Sequence, residues 1–433
     1  MPRPSDAARW VLTAALLAAA TATACEAPPR RAEPVGLAPT GDAGAMRGER
    51  VSDVPAPGAR GAGAAAVAGL PSLEFLQLGT VETDGFTLPV ISPNGRFLAV
   101  QTGEPPDLAT ALARPGQRPP RASRIALYRL DERGIVRLGE TGAGFVLGRA
   151  ADDTGVLIES PRPDGARWIG RIRWGAPRGS EGYEPEWLVQ DGRVNAFATL
   201  GPDDALAYAT RDVRDRAFDI VVRTEGRTLR IGGDGLRSHV YPALGPDGAL
   251  LHAFAVRDGV AELVVADLRE LARAGGSTAG ESAAIRRIEI SDRADDAVVA
   301  QMATPQGHLD SFVRGGEGSP DGGGADFLFF HPELNSIVRV TREGEPAPLR
   351  IRCLAWARLD AGNAVALADG RVLLETDATT ADPADAVVVL PQLAIPRSMR
   401  APDGRPAVLL FTPERGKARL TRVTIAPTRG LRR

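Results

Sequence analysis

The chain has 433 residues, 43% of them hydrophobic and 24% charged, and a formal net charge of −2. That apolar share supplies a sizeable core, and the length accommodates two or three ordinary domains or one large repeat-built β domain. Interspersed charge near neutrality leaves no electrostatic footprint for nucleic acid, two cysteines (Cys25 and Cys353) exclude a disulfide framework, and 49 glycines with 35 prolines favour turn-rich β structure over long helices.

Taken from the N-terminus, residues 1–9 carry Arg3 and Arg9 against Asp6, and "WVLTAALLAAA" at 10–20 is apolar. That run is shorter than the roughly 20 residues a bilayer span needs. "TATAC" follows, so the stretch has the charged, apolar and small-residue regions of a secretory signal over residues 1–24. Cleavage after Ala24 would make Cys25 the first residue. The pattern resembles the lipobox of bacterial lipoproteins, which implies a lipidated Cys25; it departs from it in having Ala22 where Leu is usual. Membrane attachment is then through the lipid only, with a soluble secreted product as the alternative. Glu26 in place of Asp, by resemblance to sorting in double-membrane bacteria, points weakly to the outer membrane. Residues 25–72 comprise Cys25 and a stretch that is mostly Ala, Gly and Pro with no aromatic residue, a composition that cannot bury enough apolar surface to order itself and reads as a flexible tether. "GAGAAAVAG" at 61–69 has no strand before it and no acidic residue at the right distance after it, so it is linker and not a dinucleotide loop.

From residue 73 onward one unit recurs. "ISPNGRFLAV" (91–100), "TLGPDDALAYA" (199–209), "ALGPDGALLHAF" (243–254) and "RAPDGRPAVLLF" (400–411) share a polar turn before an apolar run. "RAADDTGVLIES" (149–160), "MATPQGHLDSFV" (302–313) and "ARLDAGNAVALA" (357–368) are weaker copies. Aligned on Gly95, Gly155, Asp204, Gly248, Gly307, Gly362 and Gly404, they are spaced by 60, 49, 44, 59, 55 and 42 residues. Such a unit fits four short strands, A to D, with the shared turn joining A to B. Pro presets φ, Asn or Asp bonds its own backbone, and Gly takes the positive φ. This gives Pro93, Asn94 and Gly95, Pro202 and Asp203, Pro246, Asp247 and Gly248, and Pro402, Asp403 and Gly404 a structural role. Unit one should have strands at 86–92, 96–102, 124–130 and 134–140, and unit three at 193–201, 205–211, 218–224 and 227–233. Many of these runs are continuously apolar, as strands buried on both faces are.

The seventh copy supplies A, B and C strands but no D, while an unassigned strand, "LEFLQLGTV" (73–81), precedes the first. Its surroundings, "FLQLGTVETDGF", are similar to the D strand of unit one, "IVRLGETGAGF". The expected fold is therefore an all-β, closed β-propeller over residues 73–433, with the N-terminal strand completing the last of seven blades. Six blades is the alternative if the copy at 357–368 is spurious. "SPNGRFLAV", "GPDGALLHA" and "APDGRPAVL" resemble the repeat of the TolB-type, WD-repeat-like propeller family, Ser-Pro-Asp-Gly before an apolar strand, over roughly residues 73–430. The resemblance implies the fold. The count of seven and the expected absence of a preceding α/β domain depart from TolB itself, so its partners are not carried over.

Catalytic signatures are sparse, and the sequence assigns no catalytic residue, no metal ligand and no cofactor. "GGSTA" (275–279) misses the nucleophile-elbow spacing and reads as a polar loop. His239, His252, His308 and His331 form no paired metal motif and are expected at surface or turn positions, although His239 at the start of an A strand would be near a channel mouth. Cys353 and Trp356, in "IRCLAWA", read as core. Insertions at 103–122, 267–284 and 315–324 are loop candidates for binding; the first two each have room for a short helix. The function these features support is non-catalytic binding of a protein or envelope polymer at the cell envelope. A lactonase-like or lyase-like hydrolase at the channel mouth is the alternative.

Overall fold

The computed structural model describes residues 73–425 except 85–86, 88, 104–122, 176–182, 234, 246, 276–281, 292–311, 315–324, 332–335, 341–345, 349–354, 360–361, 367–370, 376–387, 390–394 and 415. The signal segment, Ala24, Cys25, the tether, Pro246, His308, Cys353 and the insertions at 104–122 and 315–324 thus lie outside the described residues.

β1 (Leu73–Glu82) precedes the repeats. β2 (Val90–Ile91), β3 (Phe97–Thr102), β4 (Arg124–Leu130) and β5 (Ile135–Glu140) then form an antiparallel meander in chain order. The next two meanders are β6 (Val146–Ala151), β7 (Gly155–Pro161), β8 (Arg167–Arg173) and β9 (Glu186–Val189), then β10 (Val194–Leu200), β11 (Leu206–Arg211), β12 (Asp219–Thr224) and β13 (Arg227–Ile231). A single parallel bridge, Val194 to Arg167, joins these two into one eight-stranded sheet. β14 (Ser238–Leu244), β15 (Leu250–Arg257), β16 (Val260–Asp267) and β17 (Ile285–Ser291) follow, with helix α1 (Leu268–Arg273) between the last two. Two more meanders comprise β18 (Phe312–Arg314), β19 (Ala325–His331), β20 (Ser336–Val340) and β21 (Pro346–Pro348), and β22 (Ala355–Leu359), β23 (Gly362–Ala366), β24 (Arg371–Glu375) and β25 (Val388–Val389). The last sheet combines β26 (Ile395–Arg400), β27 (Pro406–Glu414) and β28 (Lys417–Ile425) with β1. β1 pairs antiparallel with β28 from Leu73–Ile425 to Glu82–Lys417, so the N-terminal strand fills the place of the missing fourth strand. The fold is an all-β propeller of stacked meanders.

The continuous apolar runs of the first four meanders and of the last sheet are explained by burial on both faces. On β3, Leu98 and Val100 pack with Tyr128, Leu409, Phe411 and Leu420, which ties the first meander to the last. Ala99 points the other way and joins Ile125, Leu127, Val156 and Ile158 against the second. Leu157, Ile169, Tyr208 and Val221 fill the next wedge, and Ala207, Ile220, Leu251 and Val264 the one after. Val338 of β20 packs with Tyr241, Phe254 and Leu263. α1, expected within 267–284, is capped by Asp267, whose Oδ1 accepts from the amides of Arg269 and Glu270 at 2.9 Å each. Its Leu268 and Leu271 close the wedge between the third and fourth meanders. Among the described residues no helix is long and apolar enough to cross a membrane.

The repeated turns are built from local bonds. Gly95 N donates to Ser92 O at 2.8 Å, Gly248 N to Gly245 O at 3.0 Å, and Gly404 N to Ala401 O at 2.8 Å. The carboxyl or amide oxygens of Asn94, Asp247 and Asp403 accept from the amides two residues on, those of Arg96, Ala249 and Arg405. The third copy differs from expectation. With Asp204 in place of Gly, the closing bond moves to Ala205 N–Pro202 O, and Pro202 occupies the first turn position instead of the second. Asp203 and Asp204 both take positive φ, +54° and +55°, as a primed two-residue hairpin requires. The first strand of unit one is also shorter than expected, Val90–Ile91.

Neighbouring turns touch. Asn94 N donates to Asp153 Oδ1 at 2.9 Å. Arg171 reaches Asp152 and Thr154 of the second turn and Asp204 of the third. Burial alone would raise the Asp152 carboxyl; hydrogen bonds from Thr154, Gly155 and Arg171 outweigh it and hold the group below its ordinary range. A Cβ on Gly248 would meet Pro202 at 3.2 Å, and one on Gly95 would fall 2.0 Å from the Arg400 carbonyl oxygen. Gly404 holds the same repeat position at φ +82° with open space around it. Gly404→Ala should therefore cost only the backbone strain, about 1–2 kcal/mol, whereas Gly95→Ala adds a backbone collision and should cost at least twice that. Urea unfolding of the two variants checks this; equal losses would mean that the contact with Arg400 does not constrain the fold.

Candidate functional site

At the end of the sheets opposite those turns, the second to fourth meanders bring together a band of charged and aromatic side chains. Its geometry starts from strand register. The Arg167 amide donates to Arg193 O at 2.9 Å, which places Arg167 beside Val194, and Val194 pairs with Arg211 across β10 and β11. Arg167, Val194 and Arg211 form one row over three strands. Arg167 Nη1 donates to Glu159 Oε2 at 2.9 Å, and Glu159 Oε1 accepts from the Phe197 amide at 2.7 Å. Arg211 Nη1 donates to the carbonyls of Asp212 and Val213, both at 3.2 Å, and to that of Asp215, while its guanidinium carbon lies 4.9 Å from the Phe218 ring centre. Burial first, and the charge of Arg167 second, lower the Arg211 pKa from the ordinary guanidinium value.

A second row is polar, with Asn195 and Thr210 buried at its centre. Thr210 Oγ1 donates to Asn195 Oδ1 at 2.7 Å, Asn195 Nδ2 reaches Asp191 Oδ1 at 2.7 Å, and Arg193 bridges Thr210 and Asp212. Beyond it, Asp219 Oδ2 accepts from Arg230 Nε at 2.9 Å and Asp219 Oδ1 from the Gly233 amide at 2.7 Å. On the outer side of the second meander, Arg162 stacks 4.0 Å over Trp168, and Trp168 meets Trp187 edge-on at 5.4 Å.

Two aromatic residues here hold unusual backbone. Phe197 and Tyr241 have φ of +57° and +56°, each within a break of strand register, and their ring centres are 4.1 Å apart. Bulky side chains rarely take this conformation, and strand bulges redirect side chains. Sequence reasoning missed this pair. A signal existed: the two are 44 residues apart, the same as the turn positions Asp204 and Gly248.

The histidines require a correction. His239 and His252, expected at surface or turn positions, are 0% and 2% exposed. His239, second residue of β14, is sealed in the wedge between the third and fourth meanders, its amide bonded to Phe218 O at 2.7 Å. A Cβ on Gly232 would sit 2.3 Å from Asp219 Oδ1 and 3.1 Å from His239 Nδ1, so both groups crowd that glycine. His252, on β15, is held neutral: burial, then the charge of Arg286, pushes its pKa down to about 3. Both strands are buried on two faces, a property of the neighbouring sheet that the local pattern around each histidine does not carry. His331 ends β19 and Trp356 is on β22. The turn residues Pro93, Asn94, Gly95, Pro202, Asp203, Asp247, Gly248, Pro402, Asp403 and Gly404 lie at the other end of the sheets, apart from this band. Gly275 follows α1, and the rest of the 275–279 loop lies outside the described residues. Among the described residues no three His, Cys, Asp or Glu side chains are grouped to hold a metal ion.

No family model and no curated protein sequence matches the chain. Solved structures similar to it include TolB from Acinetobacter baumannii, at 17% identity over 41% of this chain and 40% of that one, with a TM-score of 0.28. A puromycin-hydrolyzing peptidase of Mycobacterium tuberculosis is 14% identical over 80% and 53%, with a TM-score of 0.41. The dihydro-heme d1 dehydrogenase NirN is 14% identical over 82% and 73%, with a TM-score of 0.43. The chain spans about half or less of the length of the first two.

The His252 shift has a pH consequence. The unfolded chain takes up a proton on this ring below its ordinary value of 6.5, and the folded chain does so only near 3. The stabilisation from the neutral ring is therefore complete above pH 6.5 and is lost as pH falls through that window, by up to about 1.4 kcal/mol per pH unit. His252→Leu removes the term. Urea midpoints between pH 7 and 4 should decline less steeply for the variant than for the parent, and parallel declines would assign the acid sensitivity elsewhere.

Proposed function

We propose that this chain is an exported, lipid-anchored binding module. Seven four-stranded blades close into a ring, with the eight-stranded sheet counted as two, and the 25–72 tether carries that ring from lipidated Cys25. The arginine-bearing end of the ring recognises a protein or envelope polymer without transforming it. One observation supports recognition over chemistry. The three carboxylates that hold the band together are already committed: Glu159 to Arg167 and the Phe197 amide, Asp219 to Arg230 and the Gly233 amide, and Asp212 to Arg193. Groups so held fix a surface in place; a general acid or base needs a proton it can release or take at the substrate. The join of the first and last meanders through Leu98, Tyr128, Leu409 and Phe411, and of β1 with β28, supports ring closure.

Two measurements in the native host check this. Inhibition of lipoprotein signal peptidase should accumulate precursor, and Cys25→Ser should release the protein from the membrane fraction; unchanged processing with a membrane-bound variant would end the anchoring part. Crosslinking in the intact envelope should recover one recurrent partner, attached near 162–167 or 211–216. A partner attached at the repeated turns, or one converted to a new product by the purified protein, would overturn the recognition reading.

A further inference from the structure

We propose that Arg167 and Arg211 together form a binding site for a single oxyanion, a phosphate or carboxylate group carried by the ligand; the inference rests on the recognition reading above and names the chemistry of its contact.

Both arginines flank Val194 in register, two strand spacings apart, so their Cα atoms are about 10 Å from one another. Two arginine side chains can close that span on one small anion. Val194 between them is 8% exposed, an apolar floor that weakens competition from water. Each guanidinium is anchored through one nitrogen only. Arg167 uses Nη1 for Glu159, and Arg211 uses Nη1 for three carbonyls of its own loop. Among the described residues their remaining donors make no further bond to the protein.

Charge balance points the same way. Glu159 is the single carboxylate in contact with either guanidinium among the described residues, and its second oxygen is taken by the Phe197 amide. Arg211 bonds only to neutral acceptors and the face of Phe218, with the Asp215 carboxylate acting on it through space. The two guanidiniums therefore share one directly bonded carboxylate, in a half-buried setting where Arg167 opposes Arg211 more strongly than the nearby Asp215 carboxylate favours it. An oxyanion between them removes that repulsion and fits the planar fork of the guanidinium. Capping of the 212–215 carbonyls accounts for one nitrogen of Arg211, and leaves its placement beside a second arginine unexplained.

The test uses the full chain at fixed ionic strength, with inorganic phosphate and acetate as probes and chloride as the control anion. Calorimetric titration should show saturable binding of phosphate, acetate or both, and none of chloride. Arg167→Gln and Arg211→Gln should each weaken it about tenfold or more. Arg211→Lys keeps the charge and the reach but loses the fork, and should fall between. Arg173→Gln, at an exposed pair with Glu186, should leave it unchanged. Because Arg211→Gln also removes the bonds to its own loop, a readout on the unaltered protein is included: phosphate should shift two arginine Nε–H signals in a heteronuclear NMR spectrum, one of which disappears in Arg167→Lys. The ligand source is separated by a poly(glycerol phosphate) arm and a polygalacturonate arm, the tighter of the two assigning phosphate or carboxylate. Equal response to chloride, undiminished binding in both Gln variants, or no arginine signal moved would each overturn the site. Overturning with the envelope partner still crosslinked at 162–167 or 211–216 would remove the oxyanion site and leave the recognition reading standing.

Discussion

The fold depends on a single constraint: sheets buried on both faces leave no water for a backbone group that loses its ladder partner. The inner strands β6, β10 and β14 nonetheless all break register. In two cases the amide at the break is satisfied by a side chain from the preceding meander. Gln101 Oε1 accepts from the Leu147 amide at 2.6 Å, and Glu159 Oε1 from the Phe197 amide at 2.7 Å. Gln101 also donates to Ser123 and to the carbonyls of Arg124 and Phe145, so it joins the second and third strands of one meander to the first strand of the next. An unmet buried amide costs about twice what a typical hydrogen bond contributes. Packing between neighbouring sheets thus has a required register in addition to apolar area, and a slip would strand these groups.

That constraint explains what could be read from the sequence and what could not. The turns were legible because their chemistry is local: Asn94, Asp247 and Asp403 each bond an amide two residues away. The loss of Gly at 204 was visible too, and its effect, a different turn class, follows from aspartate tolerating positive φ. The strands of unit three were legible from their apolar runs, and β1 from its likeness to β5 together with the missing partner of β28. Burial of His239 and His252 was not legible, because it comes from strands and loops packed around them, Phe218 and Gly232 at His239 and the flanking strands β14 and β16 at His252, and not from the pattern beside each histidine. The same holds for Glu159: as a sequence position it is an acidic residue at a strand end, and only the neighbouring strand's bulge gives it a task.

The two ends of the sheets are used differently. At one end, turn touches turn: Arg400 with Gly95, Asn94 with Asp153, Arg171 with Asp204, and Pro202 with Gly248. The repeat that makes the chain recognisable is spent there, on contacts between neighbours, and this is why the shared motif carries no information about a ligand. At the other end the meanders differ from one another. The second has Trp168, Trp187 and a stacked Arg162; the third has Arg193, Arg211 and Phe218; the fourth has Tyr241 and His239.

Difference between repeats is what a recognition surface needs, and rigidity is what keeps that difference useful. Positive φ at Phe197 and Tyr241 costs free energy that the surrounding packing must offset. The cost is accepted at a place where two strands bend toward each other and hold their rings 4.1 Å apart. Glu159 links this strained pair to the arginine row directly, since one of its oxygens holds the Phe197 amide and the other holds Arg167. Arg167, the Phe197 bulge and Tyr241 of the next meander are thus joined through Glu159 and the ring contact. The same carboxylate that satisfies the Phe197 amide between the sheets also holds Arg167, so one side chain fixes both the register of the bulge and the position of the arginine.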